Sequence, residues 1–175
     1  NIVYIFSDQH RGDTMGCAGH PAAITPNMDR LADEGVLFEQ CCSNSPLCVP
    51  ARASMMSGQH VSEHGAWNNN TESNPDGPSH VRNIRDAGYC TAMVGKTHLY
   101  RNTPDKRHTR DFIDVLEKWG FTDTHETHGL VQSALFDSPY TDFLEERGLL
   151  FDHRKFMVDY CIPWLKGESK PWEDP

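Results

Sequence analysis

A cysteine and an arginine with a spacing suited to anion chemistry occur in residues 47–54, which read Leu-Cys-Val-Pro-Ala-Arg-Ala-Ser. Proline is tolerated in the first turn of a helix, so Pro50 predicts that Cys48 lies just before a helix N-terminus. Arg52 follows four residues later on a similar face. Helix N–H groups, the helix dipole and a guanidinium all favour negative charge there. The segment therefore predicts an oxyanion-binding site with a reactive side chain at its mouth. The alternative is a buried structural cysteine beside a surface arginine.

A second set of polar residues follows the N-terminal apolar run. Residues 1–6 are rich in β-branched and aromatic side chains, which is typical of a parallel strand buried on both faces. In open α/β sheets the functional groups gather at the carboxyl ends of the strands, which is where Asp8 is expected. Arg11 is close enough in sequence to line the same pocket, and a surface salt bridge is an equal alternative for it.

The elements that must position these residues alternate between strands and helices. Thr25 is expected to cap a helix over residues 25–35 that has Pro26 at its first position and ends at Gly35. Met28 and Leu31 belong to its predicted buried stripe. Further helices are predicted over residues 50–56, 81–87, 111–119, 140–147 and 154–165, and strands over 36–38 and 89–94, with loops over 60–80 and 99–110. This alternation predicts an α/β fold.

Composition excludes several classes of protein. The 175 residues carry 16 Lys and Arg against 25 Asp and Glu, a net charge of -9, so we expect no nucleic-acid partner. No apolar run approaches the roughly 20 residues that span a bilayer, and no signal peptide is visible, so we expect no membrane association; the cytoplasm and the periplasm both stay open. The six cysteines contain no Cys-x-x-Cys pair. We expect reduced thiols, buried at Cys41, Cys42, Cys90 and Cys161.

The segment around Cys48 resembles the signature of the type I sulfatases, Cys-x-Pro-x-Arg, which belong to the alkaline-phosphatase-like superfamily. Three more pieces resemble that family in its own order: Asp8 after the first strand, the helix-like residues 25–32, and the Gly-Lys-Thr-His-Leu stretch of residues 95–99. The resemblance is strong over about the first hundred residues. It implies an α/β fold with a mostly parallel sheet sandwiched by helices, and a sulfuric ester hydrolase.

The resemblance also implies a role for each matching residue. A maturation enzyme would oxidise Cys48 to Cα-formylglycine, whose hydrate is the nucleophile that attacks sulfur. Arg52 would stabilise that hydrate, and Lys96 and His98 would contact the sulfate and the leaving oxygen. Asp8 would bind a divalent cation, usually Ca²⁺, with Mg²⁺ and Mn²⁺ as alternatives. The substrate would be a small-molecule or saccharide sulfate ester.

The residues around the predicted cation depart from the commoner family pattern. Many sulfatases have Asp-Asp after the first strand, whereas this chain has Asp8 and Gln9; with Cys48 these complete the predicted ligand set. The Asp-Gln version resembles a branch that includes choline sulfatases and phosphonate monoester hydrolases. Trp67 and Asn68 also resemble that branch, in which the asparagine contacts substrate. Hydrolysis of a phosphonate monoester or a phosphodiester therefore stays open.

The family's remaining metal ligands, second His and second Lys find no match in residues 120–175; Asp152 and His153 precede a helical pattern rather than the expected glycine turn. We therefore interpret residues 1–175 as the N-terminal part of a sulfatase catalytic domain. A non-catalytic fragment or pseudoenzyme with the same fold is a further alternative, and an oligomeric state is left open.

Overall fold

The computed structural model describes residues 1–168, which divide into two units, residues 1–43 and the chain from residue 44 onward. The helices are α1 (Pro26–Glu34), α2 (Cys48–Ser57), α3 (Val61–His64), α4 (His80–Asp86), α5 (Ile113–Trp119), α6 (Pro139–Glu146), α7 (Leu150–Phe156) and α8 (Ile162–Leu165), and the strands are β1 (Ala92–Gly95) and β2 (Asp123–Glu126). Short 3₁₀ segments occupy Gly16–Ala18, Thr109–Phe112 and Gln132–Ala134. No helix within residues 1–168 combines the length and the apolar character needed to cross a bilayer.

The N-terminal unit is organised around the carboxylate of Asp29 on α1. This carboxylate accepts hydrogen bonds from the backbone N–H of Cys17 and the hydroxyl of Thr25, both at 2.8 Å. The same hydroxyl accepts the N–H of Gly16 at 2.8 Å. Thr25 was predicted to cap α1 with its side chain, but it makes no such bond. Its hydroxyl is already engaged by Gly16 and Asp29, so it ties the 3₁₀ turn to the helix instead.

Two predicted strands and one predicted buried stripe are not found in this unit. Residues 2–6 form no strand, and their side chains are 44% to 84% exposed; residues 36–38 are likewise exposed and irregular. The stripe of α1 is wrong too, since Met28 is 41% and Leu31 is 63% exposed. A strand needs a hydrogen-bonded neighbour, and a buried helix face needs an element to cover it. Residues 1–43 contain no paired strand, so β-branched composition alone does not produce one.

The sheet of the second unit consists of β1 and β2, which pair in parallel from Ala92 opposite Asp123 to Gly95 opposite Glu126. β1 was predicted, a little early, over residues 89–94. β2 was not predicted, because Asp-Thr-His-Glu has neither an apolar run nor a β-rich composition. The connection between the strands includes α5, as a parallel crossover requires. This parallel sheet with helices is the predicted α/β class.

The main core lies between α2, α4, α5 and the segment after β1. Its buried members are Met56, Val81, Leu99, Leu116, Trp119 and Phe121. Gly120 ends α5 with a φ of +112°, and a Cβ added there would lie 2.4 Å from the backbone nitrogen of Arg82. The α4–α5 approach therefore requires glycine at this position. A smaller cluster of Val49, Ala53 and Ala66 packs α2 against the chain that follows α3.

The C-terminal helical region is interrupted before Pro163. The predicted helix over residues 154–165 is found as α7, a π-helical turn at Met157–Cys161, and α8 with Pro163 in its first turn. Proline has no N–H to donate back, which accounts for the loosened turn before it. None of the six cysteines, which all lie within residues 1–168, forms a disulfide. The predicted burial is wrong, however: Cys41, Cys42 and Cys90 are exposed and Cys161 is half-buried, because the segments around them are not covered by other elements.

Candidate active site around Cys48

Cys48 is the first residue of α2, so the helix begins two residues before Pro50 and takes the cysteine into its first turn. The N-cap residue Leu47 offers no side-chain cap. Instead, the N–H of Val49 donates to Oδ1 of Asn69 across 3.0 Å. Pro50 has no N–H. Two first-turn positions therefore offer no donor to a ligand, and the predicted anion cradle relies less on the helix N-terminus than we expected.

The positive charge at Cys48 comes from Lys96, which follows β1. Its Nζ atom donates to Sγ of Cys48 at 3.5 Å. Arg52, which is 5% exposed, donates from Nη1 to the backbone carbonyl of Lys96. The alternative of a surface arginine is therefore wrong. These contacts bring together three of the predicted residues from two distant parts of the chain. They place the ammonium group of Lys96 at a half-buried sulfur, with the guanidinium of Arg52 on the backbone of the same lysine.

A glycine makes room for the lysine. A Cβ added at Gly129 would lie 3.3 Å from both Cε and Nζ of Lys96. The backbone of Gly129 is not left-handed, so its conformation does not require glycine. The space that the lysine side chain needs is the reason for glycine at this position. Nothing in the sequence alone pointed to Gly129, since its effect depends on a contact 33 residues away in the chain.

His98 lies on the same segment as Lys96, with a backbone φ of +55°. A non-glycine residue in this region is strained. Lys96 and His98 both line a small polar cavity with Asn102, Glu126 and His128. Burial lowers the pKa of His128. The structure therefore places His98 beside Lys96, while its predicted role toward substrate stays a prediction.

The two residues predicted to touch substrate outside this group make other contacts. The Oδ1 atom of Asn68 accepts from the N–H of Asn70 at 2.8 Å, which closes a local turn, and its neighbour Asn69 is the residue that reaches α2. Arg11 forms an exposed ion pair with Asp13 at 2.5 Å, so the salt-bridge alternative holds for it. The pKa of the Asp13 carboxyl is lowered chiefly by its hydrogen bond from Arg11.

Asp8 and Gln9 lie in the N-terminal unit, where both side chains are exposed. Their oxygens are the donors that a hard divalent cation prefers. Gln9 has a left-handed backbone with a φ of +55°, so the chain is not a regular extended segment at this residue. Within the described part of the chain no three His, Cys, Asp or Glu side chains form a candidate cation cluster. The donor chemistry thus fits Ca²⁺ or Mg²⁺, while residues 1–168 supply only part of a coordination shell.

One polar pair, which joins α2 to α3, was not predicted from the sequence. Nε2 of His64 lies 2.9 Å from Oγ of Ser54 on α2, and Nδ1 of His64 accepts the N–H of Ala66 at 3.1 Å. Because Nδ1 accepts, the proton is on Nε2 and the ring donates to Ser54. Burial lowers the pKa of His64. This histidine ties α2 to α3.

Comparison with known proteins agrees with the geometry. The Sulfatase family model matches residues 1–172. The arylsulfatase of Clostridium perfringens is 31% identical in an alignment 184 residues long, which covers 98% of this chain and 35% of that protein. The N-acetylglucosamine-6-O-sulfatase of Bacteroides thetaiotaomicron is 38% identical over 99 residues, or 57% of this chain and 18% of that protein.

A solved structure extends the likeness to the fold. The phosphonate monoester hydrolase of Agrobacterium radiobacter is similar with a TM-score of 0.60 and 26% identity, over 81% of this chain and 27% of that one. The chain spans between about a fifth and a third of the length of these relatives. The fold is alkaline-phosphatase-like. The relatives include sulfatases and a phosphonate monoester hydrolase, which belongs to the branch that the Asp-Gln version resembles. On the family-model match over nearly its whole length, this chain belongs to the sulfatase family.

Proposed function

We propose that the protein containing this chain hydrolyses sulfate esters, with Cys48 as the precursor of a formylglycine nucleophile. The observation that carries this proposal is the contact between Nζ of Lys96 and Sγ of Cys48 at 3.5 Å. A lysine at that distance from the nucleophile's side chain can hold a sulfate oxygen while the nucleophile reaches sulfur. Buried Arg52 supports this arrangement by binding the carbonyl of Lys96.

The proposed chemistry has two steps. Cys48 would first be converted to formylglycine by a separate maturation enzyme and an external oxidant. One hydroxyl of the hydrated aldehyde loses its proton to a base and attacks sulfur, which forms an S–O bond and breaks the bond to the alcohol, while an acid protonates the leaving oxygen. The second hydroxyl then loses its proton and re-forms the aldehyde, which breaks the C–O bond to sulfate. Water adds to the aldehyde and restores the hydrate. Lys96 and His98 are the residues of this chain proposed to contact the sulfate and the leaving oxygen.

Asp8 and Gln9 are proposed to contribute oxygens to a divalent cation, Ca²⁺ in the first instance. Such a cation polarises a bound sulfate and favours ionisation of a nearby hydroxyl. In the full-length protein, Asp8→Asn should weaken cation binding and turnover together, because it replaces a charged ligand with a neutral amide. Isothermal titration with Ca²⁺ gives a readout that does not depend on turnover. Unchanged Ca²⁺ affinity in the Asp8→Asn protein would overturn this assignment.

The alcohol half of the substrate is proposed to be a sugar. The support is the relative whose name is N-acetylglucosamine-6-O-sulfatase, which has 38% identity to this chain. A second candidate is hydrolysis of phosphonate monoesters, which is supported by the fold likeness that extends over 81% of this chain. Sulfate and phosphonate esters would both place an anionic tetrahedral centre next to the ammonium group of Lys96 at Cys48.

A single set of assays separates these candidates. The full-length protein, produced together with a formylglycine-generating enzyme, is assayed on an aryl sulfate, a 6-O-sulfated amino sugar and an aryl phosphonate monoester. We expect turnover of the sulfates to exceed that of the phosphonate, and Cys48→Ala to abolish both while the protein stays folded. Higher turnover of the phosphonate would favour the second candidate. Near-normal turnover by Cys48→Ala would overturn the proposal.

A further inference from the structure

Glu126 is a buried acid at the end of β2, where it lies opposite Gly95 in the sheet and is 5% exposed. Its Oε1 atom accepts the backbone N–H of Thr97 at 2.9 Å and also the Thr97 hydroxyl. The N–H of His98 and the hydroxyl of Tyr100 also donate to this carboxyl group. Four donors from residues 97–100 therefore converge on one side chain.

We propose that Glu126 is a positioning residue that holds the segment after β1 so that Lys96 reaches Cys48. This inference deepens the proposed function and rests on it. Glu126 acts through the backbone of Thr97 and His98, the two residues that follow Lys96.

The segment needs such a restraint because its backbone is strained. Gly95 has a φ of +109° and His98 a φ of +55°, so two residues out of four are left-handed. A left-handed non-glycine residue is strained and persists only where its surroundings fix it. The carboxyl group of Glu126 restrains this backbone by binding the N–H group of Thr97 and the N–H group of His98 itself. Loss of this restraint would let the segment relax and take Lys96 away from Cys48.

The groups around Glu126 are hydrogen-bond donors, so its side chain must act as an acceptor. The pKa of Glu126 is raised, chiefly by burial, and the hydrogen bonds from Thr97 and Tyr100 oppose that shift. Burial also raises the pKa of Tyr100, so its hydroxyl keeps the proton that it donates. A carboxylate can accept all four bonds, whereas the amide of a glutamine would aim its own N–H₂ at donors. Glu126→Gln therefore changes the hydrogen bonding with almost no change in volume.

The first test follows exchange of backbone hydrogens in the full-length protein, which needs no turnover. Glu126→Gln should speed exchange at Thr97 and His98 by about ten-fold or more, because both N–H groups lose a charged acceptor. Asp123→Asn is the matched control, since it makes the same acid-to-amide change on the same strand at an exposed side chain. We expect no change at Thr97 and His98 in this control. Equal exchange in Glu126→Gln and the wild type would overturn the inference.

The second test is a double-mutant cycle in kcat/KM on an aryl sulfate. Misplacing a catalytic group by about 1 Å can cost on the order of 10²-fold, so Glu126→Gln should lose at least about ten-fold in the wild-type background. In the Lys96→Ala background the same change should lose less than about three-fold, because the group it positions is already gone. Fully additive losses would contradict a positioning role.

The two tests also separate this inference from the proposed function. Absence of turnover in the wild type, together with faster exchange in Glu126→Gln, would reject the function and keep the restraint. If Glu126→Gln fails to fold, Thr97→Val removes one donor to the carboxyl group and keeps the backbone intact. It should speed exchange at His98 by a smaller factor, and unchanged exchange there would overturn the inference.

Discussion

Lys96 donates from Nζ to Sγ of Cys48 across 3.5 Å, although 48 residues separate the two in the chain. Lys96 follows β1 and Cys48 begins α2, so the contact depends on how the sheet edge and the helix start approach each other. Arg52 reaches the carbonyl of the same lysine from one turn further along α2. The lysine is therefore held at both ends, by its backbone and by its ammonium group.

The space beside Lys96 gives the first prediction. Gly129→Ala adds a Cβ 3.3 Å from Cε and Nζ of the lysine, so the side chain must shift. We expect kcat/KM for a sulfate ester to fall by about ten-fold, with little change in unfolding temperature. Gly12→Ala is the control, because a Cβ there meets nothing within 4 Å. A Gly129→Ala enzyme with the kinetics of the Gly12→Ala control would contradict this account of the lysine.

The second prediction distinguishes two neighbouring asparagines. Asn69→Ala removes the acceptor for the N–H of Val49 at the start of α2 and should reduce the free energy of unfolding by about 1 kcal/mol. Asn68→Ala should cost less, because its side chain closes only an exposed turn. Urea unfolding of both variants measures the difference. If Asn68→Ala instead raises KM selectively, the substrate contact implied by the family resemblance is correct. Equal stability losses in the two variants would contradict the capping role of Asn69.

Gly120 provides a prediction about the core. Gly120→Ala would place a Cβ 2.4 Å from the Arg82 nitrogen in a residue whose φ is +112°, so both strain and overlap oppose it. We expect a loss of about 3 kcal/mol or more in stability. Gly88→Ala is matched to it, with a φ of +93° but nothing within 4 Å of the added atom, and should cost only about 1 kcal/mol. Equal losses would show that the α4–α5 approach is not tight.

The buried pair of Ser54 and His64 predicts a pH dependence of stability. The folded pKa of His64 lies below the usual 6.5, so the unfolded chain binds the proton more readily. The contribution of this histidine is therefore complete above about pH 6.5 and is lost as the pH falls below that value toward the folded pKa. His64→Gln should flatten the fall in unfolding free energy between about pH 6.5 and 5. An unchanged slope in chemical denaturation over that range would contradict the inference.

How far the sequence predicted the fold depended on where the physical cause lies. Helices bounded by proline and glycine, such as α2 ending at Gly58, were found near their predicted positions, because their boundaries are local. Of the predicted strands only β1 was found, because strands depend on pairing with a neighbour. The apolar residues 2–6 pair with no strand within residues 1–43 and stay irregular, whereas the polar β2 forms through its register with β1.

The site shows the same division. Cys48, Arg52 and Lys96 could be selected from the sequence because they match a motif, not because spacing alone placed Lys96 at Cys48. Asn69, Gly129 and Glu126 act through contacts across 20 or more residues, and no local pattern marks them. The two asparagines show why the sequence could not separate them. Asn68 closes a local turn and Asn69 binds the start of α2, and only the conformation of the loop decides which does which.

The central claim is that Cys48 is the precursor of the nucleophile, and mass spectrometry of the Cys48 peptide tests it most directly. The protein is isolated from its own cells, where its maturation machinery is present, and the peptide is trapped with a hydrazine probe. We predict the mass of the formylglycine aldehyde or its hydrate, and a hydrazone after trapping. A peptide that carries only the unmodified Cys48 thiol, in protein that nevertheless hydrolyses a sulfate ester, would contradict the account.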